Sequence, residues 1–552
     1  MFLRGTLAAF FGFSMLAACT PATAPGDARG VATVAEPSVG HAQQHLRLIS
    51  QDQYANTIAS IFGTDLAPAL NFAPFERTDG LLATGAAYQG LTGRQVESYQ
   101  RAAGVIAARV VSAEHRDVLV PCKPLNEKAA DAACATKFIT RTGGLLFRRP
   151  LSGTQLDALV ATASAGADRL KNFYAGLALA IEPMLVSPQF LYIDEVAEPD
   201  PGHPGKARLD NYSLAARLSF FLWNQGPDEN LLNVAARGVL YDPKQRARIV
   251  DVMLSNSKAE LGVRAFFSDM LGFDDFANLA KDPNIYPAFT GQAVVDAREQ
   301  SLRLIVDQLI RKNGDYRDLF TTRETFIAPS LAMLYRVPLP KGGWNSYKGT
   351  PDDPRVGLLT QFAFLSLHAH PGRTSPTRRG KALRELLLCQ KVPPPPPNVD
   401  FSALENPDPK LKTARDRLTV HQANPLCAGC HRITDPIGLA LENFDGAGEY
   451  REAEGGAPID ASGNLDGKEF KNSAELGQVL HEHPGLPSCL VRRVYAYAVG
   501  GRLNQSGQPL MDYFNQRFAA GGYRLPELLR TIALSASFSA VETDARQQAS
   551  AQ

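Results

Sequence analysis

The sequence predicts a mainly α protein, because helix start signals and helical spacing of apolar residues recur along it. Strict alternation of apolar and polar residues, which marks a half-buried strand, is scarce. Ser50 and Gln53 form a capping box, and Gly63 supplies the stop signal of the same helix. Ser152 and Gln155 repeat the capping pattern. We therefore expect a multi-helical N-terminal region, followed by a C-terminal domain with few short strands.

Amphipathic spacing predicts further helices at 136–148, 212–223, 244–254, 294–310 and 358–367. The first of these runs into a proline, which cannot continue a helix. A chain of 552 residues is too long for one hydrophobic core, so the helices should be divided among several domains.

The composition is that of an ordinary soluble globular protein, with 45% hydrophobic and 20% charged residues. Lys and Arg number 57 against 56 Asp and Glu, so the formal net charge is only +1. Because there is no overall positive field, we expect no nucleic-acid partner. Any partner must be recognised by a local site.

The first 18 residues resemble a bacterial lipoprotein signal peptide. Arg4 gives a basic start, an apolar run covers 7–17, and a Leu-Ala-Ala segment precedes Cys19. We expect Cys19 to carry a lipid anchor, and the alternative is an ordinary secretory signal with an incidental cysteine. Residues 19–44 are rich in Ala, Pro and Gly and predict a disordered tether.

The expected location is the periplasmic side of the outer membrane or the cell surface, with the protein held by its lipid. Thr20 stands where an inner-membrane retention signal would have Asp. The most apolar later stretch, 173–186, is interrupted by Glu182 and Pro183. We therefore expect no transmembrane helix in the mature chain.

Cysteine usage fits an exported protein. Of the seven cysteines, Cys19 is assigned to the anchor, which leaves an even number. Export would place these where disulfides persist. The candidate pairs outside the motif described next are Cys122 with Cys134 and Cys389 with Cys489, although spacing alone does not fix connectivity.

Cys427, Cys430 and His431 form C-x-x-C-H, the attachment motif of haem c. In such a motif the two thiols bond the haem vinyl groups and the imidazole becomes the proximal iron ligand. For this content of Cys and His, chance predicts roughly 0.002 such motifs. A zinc knuckle would need a second ligand pair nearby, a thioredoxin-like pair would need βαβ flanks, and a disulfide at this spacing would be strained. One covalent haem c is expected.

The sequence does not identify the ligand on the other side of the iron. Met511 and His483 are the candidate distal ligands, and other histidines that could serve are His481 downstream and His421, His368 and His370 upstream. An open sixth position would instead favour catalysis or ligand sensing over simple electron transfer. Downstream of the motif, Asp435, Glu442 and Asp445 are candidates for an acid–base or cation site. The alternative is helix capping by Asp435 and structural hydrogen bonds from the other two.

A basic segment precedes the motif. Arg373, Arg379 and Lys381 are candidates for binding the haem propionates or an anionic substrate. The alternative is a solvated basic loop.

The sequence resembles the planctomycete-type secreted cytochrome c proteins, which contain domains of unknown function 1587, 1595, 1592, 1588 and 1585 in that order. The segments that carry the resemblance are Phe-Arg-Arg-Pro-Leu at 147–151, Pro-Gln-Phe-Leu-Tyr at 188–192, Ala-Arg-Leu-Ser-Phe-Phe-Leu-Trp at 216–223, Arg-Thr-Ser-Pro at 373–376 with the motif, and 492–503. The resemblance implies export and a cytochrome c-like haem domain, and it implies no particular reaction.

The predicted domains follow this order. They are a signal peptide at 1–18, the tether at 19–44, helical domains at 45–120, 121–200 and 201–345, a helix, basic loop and proline-rich linker at 346–400, the haem c motif domain at 401–470, and a C-terminal helical domain at 471–545.

Three functions are compatible with the sequence. The preferred one is electron transfer to or from a partner redox protein or substrate. The alternatives are a haem-dependent oxidase or peroxidase-like enzyme, and a binding or scaffold lipoprotein in which haem is only structural. The sequence does not decide whether the protein is an enzyme.

Overall fold

The computed structural model describes residues 35–37, 46–70, 74–394, 408, 410–423, 425–501 and 507–541. The signal peptide, Cys19, the tether apart from residues 35–37, and the proline run from 395 lie outside the described residues. Helices make up 59% and strands 8%, which confirms the mainly α fold.

The N-terminal helices form their own hydrophobic core. They are α1 Gln51–Phe62, α3 Gly93–Val110, α4 Arg116–Leu119, α5 Ala132–Phe147, α6 Gly153–Leu170, α7 Phe173–Leu185 and α8 Pro188–Leu191. Between α1 and α3 along the chain, the short helix α2 Leu82–Gly85 packs its Ala83 against the second core instead. Both predicted capping boxes are confirmed, with Ser50 capping α1 and Ser152 capping α6. The buried Tyr54 and Phe138 belong to this core.

A second and larger core begins with α9 Asn211–Trp223, whose residues from Ser213 onward are all buried. The helices that follow are α10 Glu229–Ala236, α11 Pro243–Ser255, α12 Ala259–Met270, α13 Gly291–Val306, α14 Pro329–Tyr335 and α15 Phe362–Leu367. The predicted helices at 212–223, 244–254 and 294–310 correspond to α9, α11 and α13, and a π turn at Asp307–Arg311 extends α13.

The C-terminal part adds α16 Pro376–Ala382, α17 Ala414–Gln422, α18 Pro425–Leu439, α19 Ser473–Glu482, α20 Gly485–Val499, α21 Gln508–Ala520, α22 Leu525–Leu534 and α23 Ala536–Ser539. Side chains of α18, α20, α21 and α22 join the core that α9 began. The described residues from Glu36 onward form one compact unit.

The strands are short, as expected. They are β1 Arg47–Leu48, β2 Tyr192–Ile193, β3 Ala197–Pro199, β4 Ala207–Leu209, β5 Glu324–Ile327, β6 Asn345–Lys348, β7 Ala453–Glu454, β8 Ala457–Pro458, β9 Gly463–Leu465, β10 Lys468–Phe470 and β11 Ala540–Val541. Every pairing is antiparallel: β1 pairs with β2, β5 with β6, β7 with β8 and β9 with β10. The sheet β11-β4-β3 joins the end of the described chain to residue Ala207.

The four described cysteines outside the motif form two disulfides. Cys122 is bonded to Cys134 and Cys389 to Cys489, which are the pairs that the sequence offered as candidates. The second bond closes a loop that contains α18. Within the described residues, no helix has the length and apolar character that crossing a membrane requires.

Candidate functional site

Helix α18 positions the C-x-x-C-H motif. Residues three and four apart lie on the same face of a helix, so Cys427, Cys430 and His431 are neighbours there. Cys427 is buried, Cys430 is half-buried, and both thiols are free. The Cys430 Sγ lies 3.3 Å from the carbonyl oxygen of Pro393. The helix therefore presents two reduced thiols beside one imidazole.

The imidazole of His431 is held through one nitrogen. Its Nδ1 lies 2.7 Å from a carboxylate oxygen of Asp435, one helical turn onward, and 3.5 Å from the hydroxyl of Thr377. A carboxylate accepts hydrogen bonds, so Nδ1 carries the hydrogen and Nε2 carries the lone pair. Among the described residues, Nε2 has no hydrogen-bond partner. His431 is thus in the tautomer that binds a metal through Nε2.

His421, on α17, packs against this imidazole. The two ring centroids are 4.7 Å apart, with the rings nearly perpendicular. Burial, with repulsion from His431, lowers the pKa of His421. The lowered pKa favours the neutral form of the His421 ring.

A close crossing of two helices holds the site together. A Cβ on Gly380 of α16 would lie 1.9 Å from the carbonyl oxygen of Thr434, and a Cβ on Gly438 of α18 would lie 1.8 Å from that of Pro376. Neither backbone has room for a side chain, so each helix needs its glycine. The crossing brings Thr377 within reach of His431 and Asp435.

Gly438→Ala is expected to destabilise the protein by about 1–3 kcal/mol or more, because the added methyl group must push α16 away from α18. Chemical denaturation measures this effect. Gly429→Ala is the matched control on the same helix, since nothing lies within 4 Å of a Cβ there. If the two variants lost equal stability, the crossing would not be the tight contact described.

The three cations of the predicted anion site have different surroundings. Arg379 is fully buried, and its terminal nitrogens donate to Glu442 and to backbone carbonyls on both sides of it. Arg373 and Lys381 are exposed, with Lys381 3.9 Å from Glu385. Arg379 thus serves to hold the turn that follows α18.

The acidic candidates Glu442 and Asp435 also have different roles. Glu442 is buried and accepts from Arg379, Arg451 and Thr374, which fits the structural reading rather than an acid–base site. Asp435 instead faces His431. Within the described residues no group of three His, Cys, Asp or Glu side chains is arranged to hold a metal ion.

The candidate distal ligands Met511 and His483 have other partners in the structure. Met511 is buried in the hydrophobic core on α21. His483 accepts from the backbone N–H of Gly485 at Nδ1, and its Nε2 lies 3.2 Å from Asp466. Both ring nitrogens of His483 are therefore occupied. The histidine that lies against His431 is His421.

Lys281, Arg378 and Arg379 form a cationic cluster that the sequence analysis did not find. Lys281 Nζ donates to the carbonyl of His370 at 3.0 Å. Burial lowers the pKa of Lys281 from its ordinary 10.5 to about 7, and repulsion from Arg379 and Arg378 acts in the same direction. His370 lies 89 residues away along the chain, so no local pattern connects the two.

Lys281→Met is expected to stabilise the protein at pH 7, and the gain should shrink as the pH rises towards 10.5. Below about pH 7 Lys281 is protonated in both the folded and the unfolded state, so the folded wild type bears the full cost of burying the charge. Between about pH 7 and 10.5 only the unfolded state carries it, so wild-type stability rises with pH. Melting temperatures of both proteins across this window test the prediction, with the exposed Lys381→Met as control. A constant difference would contradict it.

The fold and the site define a predominantly helical, disulfide-bonded protein built around a C-x-x-C-H helix. Five family models match it in order, and each is described as a protein of unknown function. They are DUF1587 at 47–112, DUF1595 at 134–195, DUF1592 at 209–337, DUF1588 at 355–454 and DUF1585 at 466–538. The chain belongs to the planctomycete cytochrome c-type family that carries these five domains. No curated protein and no solved structure matches it.

Proposed function

We propose that the protein is an exported, lipid-anchored c-type cytochrome that carries one covalent haem and exchanges electrons with a redox partner. The arrangement on α18 supports this best. Two free thiols lie beside His431, whose Nε2 is open while its Nδ1 is held. The other cysteines of the described residues are bonded to each other, so only the motif keeps its thiols.

The residues present fit haem c. Each of the two thiols would add across a vinyl group: a C–S bond forms and the thiol hydrogen moves to the neighbouring carbon, so no oxidant is consumed. Nε2 of His431 would bind the haem iron. Haem would supply a one-electron iron couple when bound. Asp435 keeps the His431 ring in the required tautomer.

Covalent haem is the first test. The full chain, produced in a host that attaches haem c, is expected to show one haem per chain by pyridine haemochrome, retained after denaturation. Cys427→Ala with Cys430→Ala should abolish it. Cys122→Ala with Cys134→Ala removes the same number of cysteines and should keep it. A wild-type protein without covalent haem would overturn the proposal.

The lipid anchor is tested separately. Cys19→Ala should move the protein from the membrane fraction to the soluble fraction without loss of haem. If wild-type and variant protein were equally soluble, the anchor would be disproved while the haem proposal stood.

A haem-dependent oxidase or peroxidase-like enzyme is the second candidate. The buried carboxylate of Asp435 favours it, because its hydrogen bond would make His431 a stronger donor to the iron, and a strong donor suits haem for oxidation chemistry. High-spin iron that binds cyanide or carbon monoxide would support an enzyme. A fully low-spin spectrum that is unreactive towards both ligands would exclude it.

A further inference from the structure

The carboxylate of Asp435 is fully enclosed by the protein. It is 0% exposed and accepts four hydrogen bonds. Oδ1 accepts from the hydroxyls of Thr377 at 2.8 Å and Thr434 at 3.2 Å. Oδ2 accepts from the amide of Gln422 at 3.0 Å and from Nδ1 of His431 at 2.7 Å. These donors come from three helices, so the carboxylate is fixed in place.

Asp435 differs from the other buried carboxylates in its partner. Four acidic side chains are buried among the described residues. Three of them are paired with arginine: Glu195 with Arg47 and Arg217, Asp269 with Arg77, and Glu442 with Arg379 and Arg451. The ion-pair partner of Asp435 within the described chain is His431 alone.

A buried anion without a cation acts strongly on the group that it faces. No guanidinium among the described residues neutralises Asp435, so its charge bears on the N–H of His431. Hydrogen bonding of this kind makes the imidazole more basic and a stronger donor to a metal at Nε2. A stronger donor stabilises the more highly charged, oxidised iron.

We propose, on the basis of the proposed function, that Asp435 is a positioning residue that lowers the reduction potential of the haem. It does so by holding Nδ1–H of His431 and increasing electron donation from Nε2. Thr377, Thr434 and Gln422 moderate this effect, because each hydrogen bond that they donate withdraws negative charge from the carboxylate. A lower potential makes the reduced haem a stronger electron donor.

Two variants test this proposal, because they are expected to shift the midpoint potential of the haem in opposite directions. Asp435→Asn should shift the midpoint potential of the haem-loaded full chain to more positive values, because the amide oxygen is a weaker acceptor. Thr377→Val should shift it to more negative values, because the carboxylate loses a donor and draws more strongly on Nδ1–H. Spectroelectrochemistry measures the potential, and resonance Raman of the ferrous protein measures the iron–histidine stretch.

Asp460→Asn is the control, since it removes the same charge from a side chain that is 59% exposed and paired with Arg415. If Asp435→Asn and Asp460→Asn had the same potential, Asp435 would have no tuning role. If Asp435→Asn did not fold, an unchanged potential in Thr377→Val would overturn the proposal. Wild-type protein without covalent haem would instead refute the proposed function itself, so the two failures are distinguishable.

Discussion

Glu195→Gln is expected to lower the free energy of unfolding by about 3–5 kcal/mol, because it leaves two buried arginines without a counter-charge. Glu195 accepts from Arg47 at 3.0 Å and from Nε of Arg217 at 2.8 Å. Burial alone would raise the pKa of Glu195, but the attraction of Arg217 and Arg47 outweighs it and lowers the pKa. Denaturant unfolding measures the loss.

Glu198→Gln is the matched control for this prediction. Glu198 pairs with Arg208 at 2.8 Å, but its side chain is 35% exposed. Pairs that reach solvent contribute about 0–1 kcal/mol. A loss in Glu195→Gln no larger than that in Glu198→Gln would mean that the buried arginines find other partners.

Replacing Cys389 and Cys489 together by Ala is expected to cost about 4–5 kcal/mol, because their bond closes a loop of 100 residues in the unfolded chain. Cys122 with Cys134 spans 12 residues, and its removal should cost about 3 kcal/mol. Denaturation of the two double variants against the oxidised wild type gives both values.

The comparison of the two losses in unfolding free energy tests whether loop length explains the stabilisation by each disulfide. If the shorter loop contributed as much as the longer one, loop length would not explain the stabilisation. Haem content of the Cys389 and Cys489 variant gives a second readout, since the loop that they close contains α18.

Local patterns were the part of the fold that the sequence could predict. Capping boxes depend on residues three apart, so Ser50 and Ser152 identified the starts of α1 and α6. The bond between His431 and Asp435 also had a local signal, because a spacing of four places both on one helix face. Capping was the structural reading considered for Asp435, whereas the structure shows it accepting from His431.

Contacts between distant segments could not be predicted in this way. Arg379 was considered as a propionate ligand or a solvated residue, but Glu442 and several carbonyls about 60 positions later enclose it. Thr377 reaches His431 only because two glycines let α16 and α18 touch. Such contacts depend on tertiary packing, which no window of the sequence contains.

The sheet β11-β4-β3 has a consequence for a chain that is cut short. Ala540 pairs with Arg208, and Arg217 donates to the carbonyl of Phe538, 321 positions later. A chain truncated before Phe538 would leave one edge of β4 unpaired and Arg217 without one of its acceptors. The bare edge of β4 would then be open to pairing with other chains, which leads to aggregation.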